Sequence, residues 1–123
     1  MKEGQTILLV DTDERNREVF RAVAEGAGLH LILADDGQEA VDEAGKSPPD
    51  LIAIKRNAPI LDALAVSVLL KQSDRTKAVP ILVICRDASR EEAERYRDAG
   101  CSGCIQEPFT EKELQERLKG LLP

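Results

Sequence analysis

Ile7-Leu8-Leu9-Val10 runs directly into Asp11-Thr12-Asp13, and Ile81-Leu82-Val83-Ile84 into Cys85-Arg86-Asp87. Four consecutive apolar residues rich in β-formers suit a strand covered on both faces. A sheet wetted on one side would alternate apolar with polar residues, and that alternation is absent. Working outward, the same reading predicts five strands: Thr6–Val10, Leu29–Ala34, Leu51–Lys55, Ile81–Cys85 and Gly103–Gln106.

A helical segment follows each strand. Asp11-Thr12-Asp13 offers N-cap candidates, Val19, Phe20, Val23, Ala24 and Ala27 recur at helical spacing, and Gly26 and Gly28 close the first helix. Gly37–Ala44 places Ala40, Val41 and Ala44 on one side. Leu61–Leu70 is apolar almost all round, which predicts a well-covered helix. Ser89 with Glu92 and Thr110 with Glu113 read as capping boxes, and Leu114, Leu118 and Leu121 lie at i, i+4 and i+7. Strand and helix alternate five times, so the strands are parallel and joined by right-handed crossovers. The expected fold is a doubly wound α/β domain over residues 1–123, with the flavodoxin-like strand order 2-1-3-4-5 and helices on both faces.

Composition narrows the function. The chain has 123 residues, 42% hydrophobic and 33% charged, with a net charge of −6. That sign excludes a general nucleic-acid binder, which needs a basic stripe against phosphates. No apolar run approaches the ~20 residues of a membrane span, and no secretory signal opens the chain. Three cysteines make no disulfide framework, which implies the cytoplasm. With two Phe, one Tyr and no Trp, few platforms exist for stacking bases or flavins. The start at Met1 and the end at Leu122-Pro123 fit a free-standing protein or a piece of a longer one equally well.

In such a sheet a ligand sits at the carboxyl ends of the strands. Those ends carry Val10-Asp11-Thr12, Lys55-Arg56, Cys85-Arg86 and Gln106-Glu107. At this point the chain resembles the receiver domains of two-component response regulators, in particular the chemotaxis-type single-domain members. The resemblance runs from Ile7 to Leu118. It rests on Ile7–Asp11, Ala34-Asp35-Asp36-Gly37-Gln38-Glu39-Ala40, Pro49-Asp50-Leu51-Ile52, Pro59 with Asp62, Val79-Pro80-Ile81, Asp98-Ala99-Gly100 and Pro108-Phe109. It implies partners among signalling proteins: a kinase, an output domain or another regulator. It also implies a cis bond before Pro108.

The family takes a phosphoryl group from a partner histidine onto an aspartate ending the third strand. Acidic residues on the first loop hold a divalent cation there, and a Thr or Ser and a Lys hold the phosphoryl oxygens. Carried over residue by residue, Asp11 keeps the first acidic position while Thr12 replaces its acidic neighbour. The phosphoacceptor position falls on Lys55, the Thr/Ser position on Cys85, the aromatic readout position on Cys104 and the lysine position on Glu107. Asp50 precedes the strand and Asp62 follows the loop proline. Neither can take the place of Lys55 without turning the strand over.

An ammonium forms no acyl phosphate and repels Mg²⁺, so neither catalysis nor a metal cofactor is expected; Asp11 and Asp13 are only weak metal candidates. The reciprocal exchange at positions 55 and 107 predicts that Lys55 pairs with Glu107, Asp11 or both. Such a pair gains about 4 kcal/mol gross at an effective dielectric near 20, most of which desolvation cancels. The reading is therefore a phosphorylation-independent protein-interaction module that is not an enzyme. The alternative is a phosphoaccepting regulator with atypical site residues.

Other residues admit a sharper and a plainer reading. Lys55 could be a reactive amine, but no oxyanion partner accompanies it. Cys101-Ser102-Gly103-Cys104 has the C-x-x-C spacing, yet it enters a strand rather than opening a helix, so thiol activation is missing. Cys85 and Cys104 fall on neighbouring strands, which leaves a thiol switch conceivable beside a space-filling role. Asp13 suits helix capping as well as a cation, and His30 reads as a surface or edge residue. Arg15, Arg17 and Arg21 alternate with acids and read as a solvated face. Ala93, Tyr96 and Ala99 form a thin stripe on a charged fourth helix. By family analogy the surface from the fourth to the fifth helix, with Ala93, Tyr96 and Arg97, is a candidate interface and a possible homodimer face.

Overall fold

The computed structural model describes all 123 residues. Five strands, β1 (Thr6–Val10), β2 (His30–Ala34), β3 (Leu51–Lys55), β4 (Ile81–Cys85) and β5 (Gly103–Gln106), form one parallel sheet in the order β2-β1-β3-β4-β5. Five helices alternate with them: α1 (Glu14–Ala27), α2 (Gly37–Lys46), α3 (Ala63–Lys71), α4 (Arg90–Asp98) and α5 (Glu111–Leu121). The doubly wound fold expected from the apolar runs is the fold observed.

The apolar strands explain the two cores. Ile7, Leu9, Leu51, Ala53, Leu82 and Ile84 point to one face, where Phe20 and Val23 of α1 and Leu114 and Leu118 of α5 cover them. Leu8, Val10, Ile52, Ile54, Ile81 and Val83 point to the other, under Ala40 of α2, Val66 and Leu70 of α3 and Tyr96 of α4. The central strands β1, β3 and β4 thus feed both layers, and their interior positions are all apolar. At the opposite end of the sheet the Asp50 carboxylate accepts from the Thr6 amide at 2.7 Å, which confirms that Asp50 is remote from Lys55.

Five side chains cap the five helices: Asp13, Asp36, Asp62, Ser89 and Thr110 each accept a backbone N–H three residues on. Asp62 has extended backbone, so α3 begins at Ala63, two residues later than the apolar run suggested. The cover expected for α3 is also incomplete. Ala63, Val66, Ser67 and Leu70 are buried, but Val68 and Leu69 are 44% and 41% exposed. A helix laid on a sheet has only one face to bury, and no further layer lies outside α3. Gly37 admits no side chain, because a Cβ there would meet the Leu61 carbonyl oxygen at 1.9 Å.

Candidate functional site at the carboxyl ends of the strands

Asp11, one residue past β1, is 5% exposed and fully engaged. Its Oδ1 accepts from the Asp13 amide at 2.9 Å and its Oδ2 from Asn16 Nδ2 at 2.8 Å. Asn16 is buried on the first turn of α1, placed there by the Asp13 cap, and its Nδ2 also donates to Glu107 Oε2 at 3.1 Å. Lys55 ends β3 and its Nζ pairs with Glu107 Oε1; the two side chains are 23% and 10% exposed. Of the two partners expected for Lys55, only Glu107 lies within ion-pair distance, because Asn16 holds the Asp11 carboxylate. The result is a chain from Asp11 through Asn16 and Glu107 to Lys55, tying the ends of β1, β5 and β3 together. The Glu107–Pro108 bond beside it is cis.

The arrangement follows from strand parity. Asp11, Lys55 and Glu107 continue the rows of Leu9, Ala53 and Ile105, which face α1 and α5. Cys85 continues the row of Ile81 and Val83, and Cys104 pairs with Val83 in register, so both face the layer of α3 and α4. Of the five positions expected to form one site, Asp11, Lys55 and Glu107 are joined through side-chain contacts, the Cys85 thiol is turned to Cys104, and Thr12 is exposed on the loop. Burial raises all three thiols above their usual range, Cys104 to about 11, so each stays protonated at neutral pH. Cys101 is occupied by Ser67, whose Oγ lies 3.0 Å from its Sγ. Cys85 and Cys101 are buried and Cys104 is half-buried, and none is in a disulfide.

Two arginines have roles that charge patterning did not reveal. Arg17 belongs to no solvated face: its Nε donates to the Asp11 carbonyl oxygen at 2.6 Å and its guanidinium pairs with Asp35 at 2.9 Å. Arg56, next to Lys55, donates to the Asp87 carbonyl oxygen and pairs with Glu92 at 3.0 Å, clamping α4 to the end of β3. Tyr96 is turned inward, 8% exposed, and burial pushes its hydroxyl up to about 12. Its side chain packs inward and lines two surface clefts; of the other candidate interface residues, Ala93 is half-buried and Arg97 exposed. His30 is exposed at the start of edge strand β2, as expected.

The family model for the response regulator receiver domain matches residues 7–119. This chain belongs to the receiver family. Over 118 residues the receiver is 30% identical to the polar-differentiation response regulator DivK of Brucella anthropi, covering 96% of each chain. Its fold matches the chemotaxis response regulator CheY4 of Vibrio cholerae with a TM-score of 0.89 at 25% identity, covering 97% of this chain and 99% of that one. It also matches the receiver domain of the sensor histidine kinase PA1611 of Pseudomonas aeruginosa, with a TM-score of 0.85 at 29% identity over 96% and 97% of the chains. Receiver domains are signalling modules rather than enzymes in the general case.

The PA1611 receiver has a magnesium ion coordinated in its active-site cleft. The corresponding cleft here, about 330 Å³, is lined by Asp11, Thr12, Asp13, Asp35, Lys55 and Asn57 among others. Magnesium demands a near-octahedral set of oxygens. Both Asp11 oxygens already accept hydrogen bonds, Asp13 caps α1, and the group ending β3 is an ammonium. No three His, Cys, Asp or Glu side chains converge as a metal-holding group. Lys55 thus brings a positive charge and no oxygen ligand into this cleft. No helix is long and apolar enough to cross a membrane.

Proposed function

We propose that this receiver works as a phosphorylation-independent protein-interaction module of two-component signalling, within the cytoplasm and without a metal cofactor. The observation that carries the reading is the Lys55–Glu107 ion pair, which joins an ammonium at the end of β3 to a carboxylate just past β5. An amine held by a carboxylate offers no oxygen nucleophile, and Glu107 brings a negative charge to a position where the charge of a transferred group would need offsetting. Signal output then comes from the partner bound, from the amount of protein or from association of copies. Candidate partners are kinases, output domains or other regulators. The exposed charged surface from α4 to α5, including Arg97, is the face that family analogy offers them.

The metal half of the reading is tested by thermal melts. If the cleft bound Mg²⁺ with a dissociation constant of about 1 mM, ~10 mM of the ion would stabilise the fold by about 1.4 kcal/mol. That would raise the Tm of a domain of this size by roughly 3–6 °C. The expected result is no rise beyond that seen with an equal ionic strength of NaCl. A Mg²⁺-specific rise, abolished by Asp11→Asn, would favour the phosphoaccepting alternative.

A further inference from the structure

β4 and β5 each present a cysteine to the layer beneath α4. Cys104 pairs with Val83 in register and Cys85 lies two residues further along β4, so the two stand on the diagonal between adjacent strands. Their thiols are turned to each other. Strand spacing and rise put the two Cα atoms of such a diagonal roughly 8 Å apart. That exceeds the ~7 Å within which a disulfide closes without moving the backbone. Two thiols that face each other across such a span are joined more readily through an atom held between their sulfurs than by an S–S bond.

The surroundings decide which atom. No three His, Cys, Asp or Glu side chains converge as a metal-holding group. The third thiol, Cys101, lines the same cleft as Cys104 but is held by Ser67, whose Oγ lies 3.0 Å from its Sγ. Structural zinc takes four ligands and an iron–sulfur cluster four cysteines, so two sulfurs serve neither. Magnesium and calcium take oxygen. Cu(I) is soft and selects thiolates, and as a closed-shell monovalent ion it is satisfied by two of them in a line. Cys85 is 2% exposed, which keeps competing ligands from its sulfur. Cys104 is half-buried and opens onto a cleft of about 330 Å³ lined also by Ala93, Tyr96, Arg97 and Gly103, which gives an ion its way in.

We propose that Cys85 and Cys104 form a two-coordinate site for Cu(I), entered through the cleft between α4 and β5. Binding exchanges two S–H protons for one ion: two Cu–S bonds form, both protons leave to solvent, and no electron moves. The bis-thiolate complex carries one negative charge. Arg56 near Cys85 and Arg117 near Cys104 each favour a thiolate there. Glu92 and Glu107 act against it, but Glu92 is paired with Arg56 and Glu107 with Lys55. The site shares no residue with the chain from Asp11 to Lys55, and its ion is a ligand rather than a cofactor of phosphoryl transfer, so it stands or falls apart from the Lys55 reading.

Anaerobic titration of the full, reduced chain with Cu(I), followed by desalting in excess glutathione as a competing thiol, tests this. One copper per chain should remain, and X-ray absorption should show two sulfur neighbours and no nitrogen or oxygen. Amide NMR shifts on loading should centre on β4, α4 and β5. Cys85→Ser and Cys104→Ser should each lose the copper with an unchanged circular dichroism spectrum, while Cys101→Ser keeps it. Where Cys85→Ser alters the spectrum, Cys104→Ser, at a half-buried position, decides alone. Zn²⁺ in place of Cu(I) should not be retained. No copper retained, copper kept by Cys104→Ser, a nitrogen neighbour (which would point to His30 or the amino terminus), or loss of the two thiols to a disulfide would each overturn the proposal.

Discussion

Without the Lys55 ammonium, Glu107 would keep only the Asn16 amide as a side-chain partner. Without Glu107, the ammonium would look into a cleft with no other carboxylate in ion-pair distance. The two substitutions should therefore not be independent. Thermal melts of Lys55→Met, Glu107→Gln and the double variant are expected to give a coupling energy of about 1 kcal/mol, with strict additivity the contrary result. Glu107 was legible as Lys55's partner because the sequence exchanges acid and base between two strand ends. Asn16 was not legible, because an amide carries no charge pattern; its only signal is its place one turn past the Asp13 cap. Burial supplies a second test. Cys104 and Tyr96 hold their protons up to about 11 and about 12, against 9.0 and 10.0 for such groups in an open chain. Below pH 9 both states are protonated and the full stability is present. Above it the unfolded chain releases protons that the folded chain keeps, so stability falls until the buried groups ionise in turn. The Tm should be insensitive to these groups below pH 9 and drop between pH 9 and 12, with a shallower drop in Tyr96→Phe. An equal drop in that variant would contradict the placement of Tyr96.

α4 is the helix with the least apolar anchorage, since Tyr96 is its one buried residue. Arg56 compensates by reaching from β3 to the Asp87 carbonyl oxygen and the Glu92 carboxylate. Arg56→Ala should speed hydrogen exchange of amides 87–98 by about tenfold, the equivalent of ~1.4 kcal/mol of local stability, while α5 stays unchanged. Uniform acceleration across the chain would mean that the clamp acts on global stability instead. The elements themselves were readable because caps and apolar spacing agree: Ser89 and Thr110 cap their helices, although the Glu92 carboxylate pairs with Arg56 and Glu113 accepts from the Thr110 hydroxyl, so neither capping box closes on the cap N–H. α3 was read less well, for a physical reason. An apolar composition all round a helix does not say which of its residues the fold covers. The exposed Val68 and Leu69 are what remains uncovered.

On the scale of the molecule, the strand order was legible because five apolar runs alternate with five capped helices, and right-handed crossovers leave few ways to wind them. Which strand-end residues converge was only half legible. Spacing along the chain locates positions 11, 55, 85 and 107 at the carboxyl edge, but strand parity decides which layer each one faces. That parity brings Asp11, Lys55 and Glu107 together and leaves Cys85 and Cys104 under α4. The receiver scaffold is thus retained while the strand ends hold an internal ion pair. Intact mass of the purified protein after incubation with acetyl phosphate and Mg²⁺ addresses this most directly. The expected spectrum shows the unmodified chain alone. A stable gain of about 80 Da, one phosphoryl group, lost in Asp11→Asn, would contradict the account.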